Sequence, residues 1–442
     1  MAATSEPPAS TLKVSRPRLL GTAGILVLIV ALAGHMLSEA FSASIHPSRA
    51  WHFSLSILMG LLLLAIAFGA VALARPARQN LSCNRIHTAD GFSLLILSLL
   101  ITFHILMALL ILRNGSGVAT DVYTFQRDAC KNLLHGIDPF GATQADNYDA
   151  RYSAVFYSPG WVVNGRVLVG LQYPPLTLLT ALPGYLLGDV RIGYVLAVLI
   201  SALLLFALSP GPRGLGLASV LLLSPLTFLI EFLCYTEPLA YVTLCATMYA
   251  AMKKRWWLPI ALGLFLASKQ YNILALPLIA YFIQPFQWKA YCKLAGLSLA
   301  TAAVTVLPFA IWDPRALWHD LVLFHLAQPF RPDSLSFTVL FPWIVRIGPV
   351  LVLGFILWAS RAKIRSAAMF PVAYGIALLL FFSTSKQAFA NYYFLVGHAF
   401  FLSIAALSAA SAQCFTAPVD TAKLAPESRP APPATRFCHG ST

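Results

Sequence analysis

Residues 92–112 read F-S-L-L-I-L-S-L-L-I-T-F-H-I-L-M-A-L-L-I-L, and residues 120–140 read T-D-V-Y-T-F-Q-R-D-A-C-K-N-L-L-H-G-I-D-P-F. The first stretch carries no Lys, Arg, Asp or Glu. At about 1.5 Å per residue it is long enough to cross a hydrocarbon layer roughly 30 Å thick. In the second stretch Val122, Phe125, Ala129 and Leu133 recur at helical spacing, with Gln126, Arg127, Asp128 and Lys131 between them. Thr120 or Asp121 is a good N-cap, and Gly136 followed by Asp138-Pro139 ends the helix. The pair reads as a membrane span followed by an amphipathic helix lying along the membrane surface.

The rest of the chain has the same character. Of 442 residues 59% are hydrophobic and 10% charged, against about 25% charged in a soluble domain. This excludes a soluble globular protein, a disordered chain and a nucleic-acid partner, and points to an all-α polytopic membrane protein. Apolar runs near 19–41, 51–74, 92–112, 191–209, 214–233, 237–252, 291–311, 367–383 and 389–411 are spans, with shorter ones near 256–268, 271–286 and 346–360. That makes a bundle of about 12 helices. Residues 1–18 are polar, and the run 19–41 is too long for a cleavable signal. The stretch 173–188 is short, carries Pro174, Pro175 and Pro183, and is expected to lie on the outer surface or to dip in and return.

The clusters Lys13/Arg16/Arg18, Arg75/Arg78/Arg85, Lys253/Lys254/Arg255, Lys289/Lys293 and Arg361/Lys363/Arg365 all fall inside if the N-terminus is cytoplasmic. Under that topology the inner side carries the whole net charge of +14, and the outer face sums to zero. The excess is then a topology signal facing anionic lipid. The seven Cys are odd in number and form no C-x-x-C pair, so they are expected as small buried hydrophobes. Residues 412–442, rich in Pro, Ala, Ser and Thr, read as a disordered cytoplasmic tail.

Two outer loops stand out, 113–172 and 312–337. The first is too rich in aromatics and carboxylates to read as disordered, and a loop of that length is usually functional. Asp121 is either an N-cap carboxylate favoured by the helix dipole or a general base at the mouth of a membrane cavity. Asp128, Asp138, Asp146 and Asp149 share the ambiguity, with Asp138 before Pro139 favouring turn chemistry. Tyr148, Tyr152, Phe156, Tyr157, Trp161, Gln172 and Tyr173 suit either a sugar-stacking surface or an interfacial aromatic belt. Further outer turns carry Glu231 and Glu237, Lys269-Gln270-Tyr271-Asn272, Asp333-Ser334, Lys386-Gln387 and Asn391-Tyr392-Tyr393. Lys269 and Lys386 either snorkel or hold an anionic lipid phosphate. His35 and His104 are the main ionisable residues inside spans and read as packed helix residues.

D-x-Y-x(12)-G-x-D-P-F, formed by Asp121, Tyr123, Gly136, Asp138, Pro139 and Phe140, followed by Y-P-P-L at 173–176, resembles the first outer loop of GT-C glycosyltransferases. The nearest resemblance is to glycosyltransferase family 87, the polyprenyl-phosphate-mannose-dependent mannosyltransferase type. K-Q-Y-N-I-L-A-L-P at 269–277 is similar to that family's Lys-containing turn, and Asp333-Ser334-Leu335 and Asn391-Tyr392-Tyr393 resemble its later outer motifs more loosely. The resemblance runs from about 92 to 411. The two helices within 19–91 precede it, whereas in the common GT-C pattern the acidic loop follows the first helix.

The resemblance implies a GT-C-like bundle with an outer-face juxtamembrane helix. It implies transfer of a hexose, mannose in the family, from a polyprenyl-phosphate sugar to a glycan or lipid acceptor. Asp121 would be the general base and Lys269, Lys386 and Arg127 the donor-phosphate clamp. Tyr123, Gln126, Asp128, Tyr173, Gln270, Asn391 and Tyr392 would contact substrate. The chemistry needs one base and a cationic clamp, with no metal or other cofactor. The alternatives from other classes are a flippase or transporter and a lipid-linked glycan polymerase or ligase.

Overall fold

A computed structural model describes residues 91–114, 120–362 and 365–416. The expected spans 19–41 and 51–74, the basic clusters around them and the tail beyond residue 416 lie outside the described residues. The helices are α1 (Gly91–Asn114), α2 (Asp121–Leu134), α3 (Ala150–Phe156), α4 (Pro175–Leu186), α5 (Ile192–Leu208), α6 (Pro212–Leu223), α7 (Pro225–Phe232), α8 (Glu237–Met252), α9 (Leu258–Ser268), α10 (Trp288–Trp312), α11 (Pro314–Trp318), α12 (Phe324–Ala327), α13 (Ile344–Arg361), α14 (Phe370–Thr384) and α15 (Ala390–Thr416).

Five helical segments, Gly91–Arg113, Trp288–Trp312, Ile344–Arg361, Ala367–Thr384 and Ala390–Ala410, are long and apolar enough to cross a membrane. A sixth crossing forms if α6 and α7 count as one bent span. Their surfaces are those of a membrane protein. On α10, Val304 is 69% exposed and Ile311 80%, and α13 exposes Val350 and Leu353 in the same way. Apolar strips of that size in water would drive aggregation. Exposed tryptophans gather at helix ends, with Trp256, Trp288 and Trp358 at one level and Trp312, Trp318 and Trp343 at the other. That placement matches the two aromatic girdles of a bilayer.

The other expected spans are shorter than a crossing. α9 has 11 residues, and 271–286 is not an α-helix. It forms two 3₁₀ segments, Gln270–Ala275 and Pro277–Phe282. Pro277 lacks the N–H that a continuous α-helix needs. The 3₁₀ rise of about 2.0 Å per residue lets the two segments cover about 24 Å, where an α-helix would cover about 18 Å. α4 has 12 residues and begins at Pro175, which needs no N–H at that position. It leaves Leu186 and Leu187 exposed at its C-terminal end.

The break between α6 and α7 bends the chain by 47°. Pro225 cannot donate to Leu221, which ends α6. His104, in mid-α1, donates through Nδ1 to the Leu222 carbonyl at 2.7 Å, and its Nε2 lies 2.9 Å from Glu231 Oε1. Both side chains are buried. Glu231, expected in an outer turn, is therefore inside the bundle, and His104 fastens α1 to both halves of the broken helix.

The loop from 120 to 174 is ordered, as expected, but it is not purely helical. β1 (Gln144–Ala145), β2 (Val162–Val163) and β3 (Arg166–Val167) form a small antiparallel sheet in the order β1-β3-β2. Asn164 and Gly165 join β2 to β3 with φ of 50° and 71°. An Asn-Gly pair between alternating apolar residues is the standard signal for such a tight hairpin, and Asn164-Gly165 carries it in the sequence. α2 packs its apolar face, Phe125, Ala129 and Cys130, against protein rather than lipid. Ala129 and Cys130 join Leu178 and Ala181 of α4 and Tyr194 of α5 in one cluster. Cys130, Cys234 and Cys245 are free and buried as expected, while Cys292 is exposed.

Loops meet at one end of this bundle. Thr120 and Gln126 bond the carbonyls of Leu233 and Cys234. Gln270 and His325 both reach the Gln172 carbonyl, and Leu335 N–H donates to Ala388. The basic residues Lys253, Lys254, Arg255, Lys289, Lys293 and Arg361 lie at the opposite ends of the same helices.

Candidate active site at the loop end

Helix α2 sets the position of Asp121. Its N-cap is Thr120, whose hydroxyl accepts the Tyr123 N–H at 3.3 Å. Asp121 is therefore the first helical residue rather than the cap. Its Oδ1 accepts the Val122 N–H at 2.8 Å, and its Oδ2 accepts the Tyr157 hydroxyl at 3.3 Å. Its own N–H donates to the Tyr148 hydroxyl at 3.4 Å. Burial raises the Asp121 carboxyl above the usual carboxylate range, and the Val122 N–H, the two tyrosines and the more distant Arg331 offset this in part. A carboxylate so raised is a better proton acceptor near neutral pH than an ordinary aspartate.

The other four loop carboxylates have local duties. Asp138 accepts the Phe140 N–H and Asp146 the Tyr148 N–H, which are turn bonds. Asp149 caps α3 through the N–H groups of Arg151 and Tyr152. Asp128 pairs with Arg127 at 2.8 Å.

The field of Asp121 reaches Tyr173, Tyr235 and Tyr392, and each of these also feels Glu237. Asp121, Tyr173, Tyr235, Glu237 and Tyr392 thus lie in one part of the loop end. Lys269 joins them. Its Nζ lies 2.9 Å from Glu237 Oε1, with both side chains buried. The same nitrogen sits 4.8 Å over the Tyr173 ring, 5.8 Å from Tyr271 and 5.9 Å from Tyr392. Lys269 is held at this place by the break between α9 and the first 3₁₀ segment, where it is fully extended at φ −152° and ψ 147°.

The remaining expected site residues are elsewhere or otherwise engaged. Gln126 is wholly buried. Its amide donates to Val122 and Cys234 and accepts the Tyr194 hydroxyl, so it ties α2 to the bundle. Arg127 is exposed and paired with Asp128. Tyr123 turns to Arg191, which lies 5.1 Å over its ring and is paired with Asp189. Lys386 donates to the carbonyls of Leu326 at 2.9 Å and Gln328 at 3.2 Å, holding the 326–328 segment against the start of α15. Gln270 donates to the Gln172 carbonyl at 2.8 Å, one residue before Tyr173. Asn391 is buried, one residue before Tyr392.

Two residues that the sequence reading passes over are structurally prominent. Arg331 lies 3.9 Å over Phe156 and 5.0 Å from the Phe389 ring, and Asp333 grips its Nε and Nη2 at 2.8 and 2.6 Å. Asp320 is buried in the π turn His319–Leu323 between α11 and α12. It accepts the N–H groups of Gly170 at 2.8 Å and Leu171 at 3.1 Å, just ahead of Y-P-P-L. A lone Asp and a lone Arg in a polar loop carry no sequence signal of either role.

Beside Asp333, a groove of about 560 Å³ is lined mainly by Leu335, Phe337, Leu340, Leu379 and Tyr393. Among the described residues no three His, Cys, Asp or Glu gather as a metal site. No protein-family model, no curated protein and no solved structure matches the chain.

Proposed function

We propose that this protein is an integral membrane glycosyltransferase of the GT-C kind. In this reading it moves a hexose, mannose by the sequence resemblance, from a polyprenyl-phosphate sugar to a hydroxyl of a lipid-linked glycan or envelope acceptor. The loop end then faces outward and the basic end faces the cytoplasm, as the distribution of Lys and Arg suggests.

The supporting observation is the setting of Asp121, a partly buried carboxylate with raised proton affinity, bonded to a tyrosine hydroxyl and within the field of Arg331. Asp121 takes the proton of the acceptor hydroxyl. The acceptor oxygen bonds to the anomeric carbon from the face opposite the phosphate, and the bond from that carbon to the phosphate oxygen breaks. Its electron pair leaves with polyprenyl phosphate, and the sugar inverts. The apolar groove next to Asp333 suits the isoprenoid tail, and the ring faces of Tyr173 and Tyr392 suit the sugar.

The test is incubation of the purified protein with polyprenyl-phosphate mannose or glucose and lipid-linked acceptors. Release of polyprenyl phosphate with glycosylated product is expected, and Asp121→Asn is expected to abolish it while the protein stays folded. A flippase would move the lipid across vesicles without releasing the phosphate. The buried His104–Glu231 pair is the feature that reading would use, but its geometry serves the helix break.

A further inference from the structure

Resting on the reading above, a donor phosphate needs a cation that is both near Asp121 and free to bond. Lys269 lies against Tyr173 and Tyr392 but is engaged, its charge matched by Glu237 at 2.9 Å and its side chain 4% exposed. Lys386 is bonded to two carbonyls, and Arg127 is paired with Asp128.

Arg331 is paired as well, but its guanidinium is held between two aromatic rings and its field acts on Asp121 directly. Asp333 occupies one edge of its guanidinium, through Nε and Nη2. The end edge, which includes Nη1, is left for a second partner, and one guanidinium has enough N–H groups to bind two oxyanions at two edges. The plane is fixed by Phe156 at 3.9 Å and Phe389 at 5.0 Å. Phe156 in turn packs edge-on against Tyr148 at 4.5 Å, and Tyr148 bonds the Asp121 backbone. Asp121 and Arg331 are thus linked through two aromatic rings without forming an ion pair. That leaves the base and the cation separate, each free of the other's contact. The apolar groove begins one residue beyond Asp333, at Ser334.

We infer that Arg331 is the phosphate-binding residue of this site, taking the phosphate of an isoprenoid phosphate on its free edge with the tail in the groove from Leu335 to Tyr393. Lys269 and Glu237 form a neutral pair beneath the sugar position. They do not bind phosphate.

The probes are farnesyl phosphate and farnesol, titrated into the purified full-length protein in lipid nanodiscs. The wild type is expected to bind the phosphate more tightly than the alcohol. Arg331→Gln is expected to lose about 10- to 100-fold in farnesyl phosphate affinity with farnesol affinity unchanged, which also reports an intact fold. If Arg331→Gln loses farnesol binding as well, Arg331→Lys decides. An ammonium keeps the charge without the planar edge, so the preference of Arg331→Lys for farnesyl phosphate over farnesol is expected to fall between that of the wild type and none.

A full wild-type preference in either variant, or no preference in the wild type, overturns the inference. Phosphate binding through Arg331 without sugar transfer would instead remove the glycosyltransferase reading and leave this one standing. Sugar transfer that is indifferent to Arg331 would do the reverse.

Discussion

Asp320 is the place where the packing of the loop end can be tested most directly. The side chain is 1% exposed. Oδ2 accepts two backbone N–H groups, from Gly170 and Leu171, and Oδ1 accepts His319 Nδ1–H at 2.9 Å. Asp320→Ala removes the only acceptor seen for those two amides. Each unsatisfied buried donor costs about 1–3 kcal/mol, so the segment leading into Tyr173 is expected to lose about 2–6 kcal/mol of local stability. Asp320→Asn should cost far less. Its single amide oxygen can replace Oδ2 and serve both N–H groups, and its NH₂ can face His319 in the other tautomer.

The charge adds a second, separable effect. Burial raises the Asp320 carboxyl to about 7, against the pull of His319 and the two N–H groups. The folded state therefore keeps a proton that the unfolded chain has released above about 4. Stability is full below the unfolded value, falls as pH rises toward about 7 and is flat above it. The full span is on the order of 4 kcal/mol. The assay is hydrogen exchange of the peptide 165–173, corrected for intrinsic rates, at pH 5.5 and pH 8. The wild type is expected to lose protection at the higher pH, Asp320→Asn to show no such loss, and Asp320→Ala to be poorly protected at both. Equal protection in Asp320→Ala and wild type, or an Asn variant as damaged as the Ala variant, would refute the reasoning.

Other expectations follow from the same geometry. Tyr157→Phe removes a hydroxyl that lowers the Asp121 pKa. If transfer needs the ionised carboxylate, the acid limb of its pH–rate profile should move up by about half to one unit. Lys269→Met leaves Glu237 buried without a counter-charge and should cost about 3–5 kcal/mol in thermal unfolding. Adding Glu237→Gln should restore most of that loss, which a pair acting independently would not show. Gly170→Ala places a Cβ against the Pro139 carbonyl and 3.1 Å from Asp320 Oδ2, so it should loosen the same 165–173 peptide that Asp320→Ala does.

Much of the membrane architecture is legible in the sequence because lipid imposes a length and a composition on a span. The runs at 92–112, 291–311, 367–383 and 389–411 become helices of the required kind. The stretch 256–286 is not readable in that way. α-helical and 3₁₀ segments bury the same apolar residues, and only the hydrogen-bond pattern around Pro277 separates them. Asp121 is legible as a residue of interest from its place at a helix start after a span. Its tyrosine partners are not, because Tyr148 and Tyr157 look like any interfacial aromatics until the chain folds back. Arg331 lies far along the chain from Asp121, and nothing local distinguishes it from Arg315 or Arg346.

The charge balance gains a finer meaning once the partners are known. A loop end whose charges sum to zero could be a random mixture, but the structure gives its described carboxylates specific partners. Asp128 meets Arg127, Asp189 meets Arg191, Glu237 meets Lys269 and Asp333 meets Arg331. Asp138, Asp146, Asp149 and Asp313 bind backbone N–H groups in turns or caps, and Asp320 combines two N–H groups with His319. Glu231 meets His104, so among the described residues this leaves Asp121, whose side-chain partners are an adjacent N–H and a tyrosine hydroxyl. A partly buried carboxylate without a contacting cation is less well compensated than its paired neighbours. A cation in contact would lower its proton affinity and weaken it as a base. Keeping Arg331 two rings away preserves the basicity of Asp121 and leaves the unoccupied edge of the guanidinium for the group that departs.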